Sequence, residues 1–232
     1  MKIPYEFQGM VPTNKEWKKI MQSDTPPQVN TVRRFVEELS QGIKWAKRFL
    51  TYSEKGPSFE TKDIMQLHQC LFKNIFSTAG RLRELQFYDD IGTFSSSDAI
   101  EAALNSLRNN SKRWFTKDDP ILLAVQIAAY HIQFYCIKPF AYGSDEVAGL
   151  ILAHQSEQLL GERVYPGFFL SQYHAARTTA MHGCITPLAL LILRLTSRAP
   201  LYRWSYDEVS IKSSVCGLRE LGNGSNETFW KY

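Results

Sequence analysis

The stretch from Pro120 to Leu160 constrains this chain more than any other. It reads as helix, tight loop, helix. Pro120 suits the first turn of a helix, where its missing N–H costs nothing. Ile121, Leu122, Val125, Ile127, Ala128, Ile132 and Phe134 are too dense for one face, so the pattern predicts a helix buried nearly all round. It stops at Ile137-Lys138-Pro139, because the residue before a proline is pushed out of the α region. The loop runs from Lys138 to Glu146, and Ser144 or Asp145 can cap a second helix reaching Leu160.

A glycine ahead of a helix N-terminus has a chemical use. The first backbone N–H groups of a helix lack partners within it, and the helix dipole favours negative charge there. Gly143 lets another group approach that turn closely. The loop therefore reads either as a phosphate cradle or as the capped turn of a plain helical hairpin.

Composition narrows the class. At 232 residues the chain allows one large or two small domains and a sizeable core. A net charge of +4, with no Lys/Arg run, does not suggest nucleic acid. Cys70, Cys136, Cys184 and Cys216 lack metal-ligand or CxxC spacing and read as small core residues of a reducing compartment. Met1 to Met10 has no signal-peptide apolar region, and the run Pro187 to Leu193 is too short to span a bilayer. The expectation is a cytoplasmic protein, in its own cell or a host's, with no membrane partner.

Three segments follow from pattern. Residues 1–59 read as a loose arm plus one helix, with Trp17 and Ile20 placed to anchor a further short helix in the arm. From Thr31 to Leu50, Val32, Phe35, Val36, Leu39, Ile43, Ala46, Phe49 and Leu50 give the 3-4 spacing of an amphipathic helix. Residues 60–198 form the core. Ile64, Leu67, His68, Leu71, Phe72 and Ile75 predict a helix from Thr61. Leu85 to Phe94 alternates weakly around Asp89-Asp90 and Gly92, as a small hairpin or flap would. A helix from Ser97-Asp98 to Arg108 follows, then a polar connection to Asp119 in which Trp114 and Phe115 pack down. Two more helices occupy 162–195, with Pro166-Gly167 at the turn. Residues 199–232 are an aromatic tail with no assigned structure.

The loop resembles the signature of the Fic (Fido) family, whose form is His-Pro-Phe, two residues of which the second is acidic, then Gly-Asn-Gly-Arg. Pro139, Phe140 and Gly143 stand as that family has them. Lys138 stands in place of the histidine, Tyr142 of the acid, Ser144 of the Asn, Asp145 of the second Gly and Glu146 of the Arg. Leu67-His68, Ala79-Gly80 with Arg83, Ile91-Gly92 with Phe94, and Ala128-Ala129-Tyr130-His131 resemble the family's approach to its flap and loop. The likeness spans about residues 60–195 and rests on the order of the pieces. It implies a mostly α fold: a Fic-like helical bundle with a small β-hairpin flap.

The resemblance also implies chemistry: transfer of AMP from Mg-ATP to a target hydroxyl. Lys138 would hold the catalytic position. Phe140, Tyr142, Gly143, Ser144, Asp145 and Glu146 would line the nucleotide phosphates. Leu85, Phe87, Ile91 and Phe94 would form the flap that docks a target peptide. The departures argue against ordinary activity. A solvated lysine is protonated near pH 7 and has no lone pair with which to accept a proton. Loss of a general base costs about 10²–10⁴-fold. Tyrosine is no usual Mg²⁺ ligand. Asp145 and Glu146 put negative charge where phosphate would sit, and no other arginine in the sequence is an evident replacement. The plain readings are that Lys138 pairs with Asp145 or Glu146, that both acids decorate a helix start, and that His131 is a satisfied core histidine. The leading expectation is a degenerate site in a protein that binds a partner, at the flap by β-augmentation among other ways. An active transferase of altered chemistry and a plain helical interaction module are its rivals. No metal ligand set is expected.

Overall fold

The computed structural model describes residues 12–23, 26–52, 56–84, 88–89, 92–115, 119–165 and 170–196. Helix α1 (Asn14–Met21) begins at a capping box. Thr13 Oγ1 accepts from the Glu16 N–H at 3.3 Å, and the Glu16 carboxylate accepts from the Thr13 N–H at 2.7 Å. This is the short helix expected around Trp17 and Ile20. Its Trp17 meets Phe35 edge to face, with centroids 5.5 Å apart.

Helix α2 (Val32–Tyr52) buries Phe35, Leu39, Gly42, Ile43, Ala46 and Leu50, the stripe its spacing predicts. It packs on α3 (Thr61–Phe72) through Gly42. A Cβ there would lie 2.2 Å from the Leu71 carbonyl oxygen, so only glycine permits this approach. Strands β1 (Tyr88–Asp89) and β2 (Gly92–Thr93) pair antiparallel, Tyr88 opposite Thr93 and Asp89 opposite Gly92. A short 3₁₀ turn (Ser97–Ala99) leads into α4 (Ile100–Trp114). The expected stop at Arg108 is corrected: the helix runs through the polar stretch after it. Ser111 and Trp114 continue the buried stripe of Ile100, Leu104 and Leu107, so tertiary burial outweighs poor local propensity.

Helix α5 (Pro120–Ile137) is the hub, touching α4, α6, α7 and α8. Asp119 caps it by accepting from the Ile121 and Leu122 N–H groups at 3.0 and 3.2 Å. Of its 18 residues, 14 are buried, which bears out a helix apolar on all sides. It is long and apolar enough to match a membrane core, yet 78% of that window is buried against the chain's own helices. Helix α6 (Ser144–Leu160) lies beside it and is also buried nearly all round. Helices α7 (Leu170–Met181) and α8 (Thr186–Arg194) close the bundle against α5. His131 behaves as the core histidine expected: its Nε2 lies 2.6 Å from the Tyr173 hydroxyl, and burial pushes its pKa down to about 3. The tail 199–232, with Cys216, and the turn at Pro166-Gly167 lie outside the described residues.

Candidate functional site at the α5–α6 loop

The loop between α5 and α6 is built on backbone constraints. Lys138 closes α5 in the left-handed region (φ 45°, ψ 66°), rare for a residue with a side chain. Gly143 precedes α6 at φ 81°. A Cβ on Gly143 would fall 2.2 Å from Phe72 Cε2, so that position needs glycine both for its backbone and for its space. Ser144 does not cap α6 through its side chain. Its Oγ accepts from the Phe140 N–H at 3.0 Å and faces the Phe140 carbonyl at 3.2 Å, which draws the loop into a closed turn.

Two buried polar residues brace this turn from outside the motif. Arg83, 4% exposed, donates through Nε to the Lys138 carbonyl at 2.7 Å and through Nη2 to the Ile137 and Ser95 carbonyls. Its own N–H bonds the Pro139 carbonyl at 2.9 Å. The last carbonyls of α5 thus find a guanidinium rather than water. His68 accepts at Nδ1 from the Gly80 N–H at 2.8 Å, which leaves Nε2 protonated to donate to the Tyr142 carbonyl at 2.8 Å. Burial pushes its pKa down to about 4, so this neutral tautomer holds at physiological pH. The imidazole stacks on Phe140 at 3.9 Å.

The side chains named from sequence divide into two groups. Phe140 is fully buried beneath His68. Tyr142 turns into an aromatic cluster of Phe35, Phe72 and Phe76, with its ring 4.7 Å from that of Phe76, and burial pushes its phenol pKa far up. Phe94, expected on a docking flap, is buried 6.4 Å from Tyr135 in an edge contact. That expectation is corrected: after β2 the chain turns Phe94 inward. Leu85, Phe87 and Ile91 lie outside the described residues.

Lys138, Asp145 and Glu146 form the mouth. Lys138 Nζ sits 4.5 Å from the centre of the Phe94 ring. Asp145 is exposed, and its recorded ion-pair partner is Arg177 of α7 at 3.4 Å, a residue the sequence reading did not consider. The Arg177 guanidinium lies over the Tyr135 ring at 4.3 Å and near the Tyr173 ring at 5.4 Å. An arginine thus stands beside the start of α6, supplied from 32 residues downstream. Glu146 is half-buried, but its carboxyl is crowded by protein. That desolvation, then the nearby Asp145, pushes its pKa up to about 8 against the pull of Lys138. Glu146 is therefore mostly neutral at pH 7. Among the described residues no cluster of His, Cys, Asp and Glu could hold a metal ion.

Residues 58–155, which contain α3 to most of α6, match the Fic/DOC family. Over those residues this chain is similar to Fic/DOC domains. Solved structures agree on the fold. The BepC protein of Bartonella tribocorum, a VirB-translocated effector crystallised with bound AMPPNP, is 18% identical with a TM-score of 0.58, over 73% of this chain and 90% of that one. Fic-1 of C. elegans is 21% identical with a TM-score of 0.61, over 90% of this chain and 61% of that one. The Fic domain of a cell filamentation protein from Bartonella quintana is 18% identical with a TM-score of 0.57, over 82% and 92%. A search of the curated proteins finds no significant match. At these identities the structures speak for the fold, and the Fic/DOC match takes in the α5–α6 loop.

Proposed function

We propose that this Fic/DOC domain has a degenerate AMP-transfer site and acts by binding a protein partner. The observation that carries the reading is the acidic start of α6. Asp145 and Glu146 occupy the first turn, and Asp145 already engages Arg177, the nearby cation that could have met a phosphate. Like charges at close range oppose each other by about 1 to 4 kcal/mol. Lys138 stands where the family has its base, and the Tyr142 ring is packed among Phe35, Phe72 and Phe76. These residues do not fit Mg-ATP: no carboxylate stands at the position of Tyr142, and donor-only Lys138 offers no general base when protonated.

Titration calorimetry with Mg-ATP tests the reading, with binding expected to be weak or absent. The variant combining Lys138→His, Tyr142→Asp, Ser144→Asn, Asp145→Gly and Glu146→Arg returns a base, a metal ligand, a flexible nest and a cation, and should regain phosphate binding. Micromolar affinity in the unmodified protein, or self-labelling with AMP that Lys138→Ala abolishes, overturns the degenerate-site reading. One feature favours an altered transferase as the second reading. Glu146 is mostly neutral at pH 7, so part of the electrostatic opposition is absent there.

A further inference from the structure

Along the exposed face of α3, an open groove of 660 Å³ runs beside the segment 76–81. We propose that it binds an acidic peptide segment of a partner protein. Three cations line it, Lys62, Lys73 and Arg81, and none of the described lining residues is acidic. Lys62 contacts Glu60 at 2.8 Å, but Glu60 is shared with Arg108, so its charge is offset twice. Lys73 is exposed and held with Nζ 3.7 Å from the Trp45 ring centre, which fixes its position at the rim. Arg81 is also exposed.

The rest of the lining chooses a peptide over a bare anion. Gln66 and Gln69 present amides from the exposed face of α3, and an amide both donates and accepts, as a peptide backbone does. Met65 and Phe76 add an apolar floor for a side chain. A phosphate would use the cations and leave the amides and floor unemployed. The volume falls in the range of about 300–1,000 Å³ found for ligand sites. The groove also reaches Gly80, whose N–H bonds His68, which in turn bonds the Tyr142 carbonyl. A bound peptide would thus abut the first link of the chain that braces the signature loop.

The test uses the full chain and fluorescence anisotropy of a labelled peptide, Glu-Glu-Leu-Glu-Glu-Leu, with Lys-Lys-Leu-Lys-Lys-Leu as the opposite-charge control. The acidic peptide should bind saturably and the basic one should not. Lys73→Glu combined with Arg81→Glu should weaken binding at least about tenfold, and raised salt should weaken it as well. Lys73→Gln with Arg81→Gln, the milder pair, should act in the same direction. Lys112→Glu, an exposed change on α4, should leave binding within about twofold. No saturation with the acidic peptide overturns the proposal, as does an equal loss in Lys112→Glu. Displacement by equimolar inorganic triphosphate assigns the groove to small anions instead. Binding of anionic phospholipid vesicles without peptide binding assigns it to a membrane surface.

Discussion

Beneath the signature loop, His68 and Arg83 hold three of its carbonyls and Phe72 lies against Gly143. At its mouth, Lys138, Asp145 and Glu146 meet solvent or each other's fields. The underside keeps the residues that the family resemblance quotes, Pro139, Phe140 and Gly143. The mouth keeps none of the family's chemical groups. The difference follows from what each side must do. The underside satisfies buried polar groups and fills space, and folding requires that whatever the protein's chemistry. The mouth must only avoid destabilising the fold, so its charges can change with function.

Arg83 offers the sharpest way to break this division. Arg83→Met keeps the apolar stem but strips the guanidinium from the Ser95, Ile137 and Lys138 carbonyls. Buried acceptors left unpaired cost about 1–3 kcal/mol each, and the variant should lose about 3–5 kcal/mol in urea unfolding. A loss below about 1 kcal/mol would show that water replaces the guanidinium easily, and the underside would no longer count as a support.

Gly143→Ala comes next. The new Cβ meets Phe72 at 2.2 Å and must adopt φ 81°. The left-handed backbone alone costs about 1–2 kcal/mol, and displacement of a buried ring adds a similar amount. About 3 kcal/mol should be lost in the same unfolding measurement. Phe72→Ala in the same chain should recover part of the loss attributable to the clash, a non-additivity that pure backbone strain would not show.

The helices were legible because burial writes a period into sequence. The dense apolar run of α5 and the 3-4 stripe of α2 each matched the structure within a residue or two. Helix α4 outruns its local signal, since Asn109 to Ser111 are weak helix residues held by a stripe ending at Trp114. The site was legible only in part. Gly143 signalled its own constraint. His68 and Arg83 stood in the quoted resemblance, but their bonds to the loop span 74 and 55 residues, and no local pattern announces such pairs. Arg177 had no signal at all, because its place beside Asp145 depends on how α7 folds back. Phe94 misled, since an aromatic residue in an alternating stretch looks the same whether it faces out or in.

Glu146 tests the mouth through pH. Its carboxyl titrates near pH 8 in the fold against 4.5 ordinarily. The folded state therefore favours the protonated form. The stability this gives is fully present below about pH 4.5 and is lost as pH rises through 8. Glu146→Gln removes the dependence. Compared by urea unfolding, the two proteins should be nearly equal near pH 4.5. The variant should gain on the order of 1–3 kcal/mol by pH 8.5, after allowance for the partial exposure of the residue. Parallel stability curves across that window would mean that Glu146 is solvated like any surface acid.

Lys138 should have the smallest effect, and its sign is informative. Lys138→Gly relieves a left-handed backbone that costs a side-chain-bearing residue about 1–2 kcal/mol. It forfeits the ring contact with Phe94, worth about 0.5–1 kcal/mol, and adds unfolded-state entropy of a similar size. The terms nearly cancel, so stability should change by less than about 0.5 kcal/mol. Lys138→Ala keeps the strain and loses the ring, and should fall below Lys138→Gly by about 1 kcal/mol. The N–H bond to Phe134 and the carbonyl bond to Arg83 survive in both, because they belong to the backbone. A Gly variant more than about 2 kcal/mol weaker than the parent would move Lys138 from the mouth to the support. Its charge would then be held in place by the fold, and the loop would have fewer positions free to vary with function.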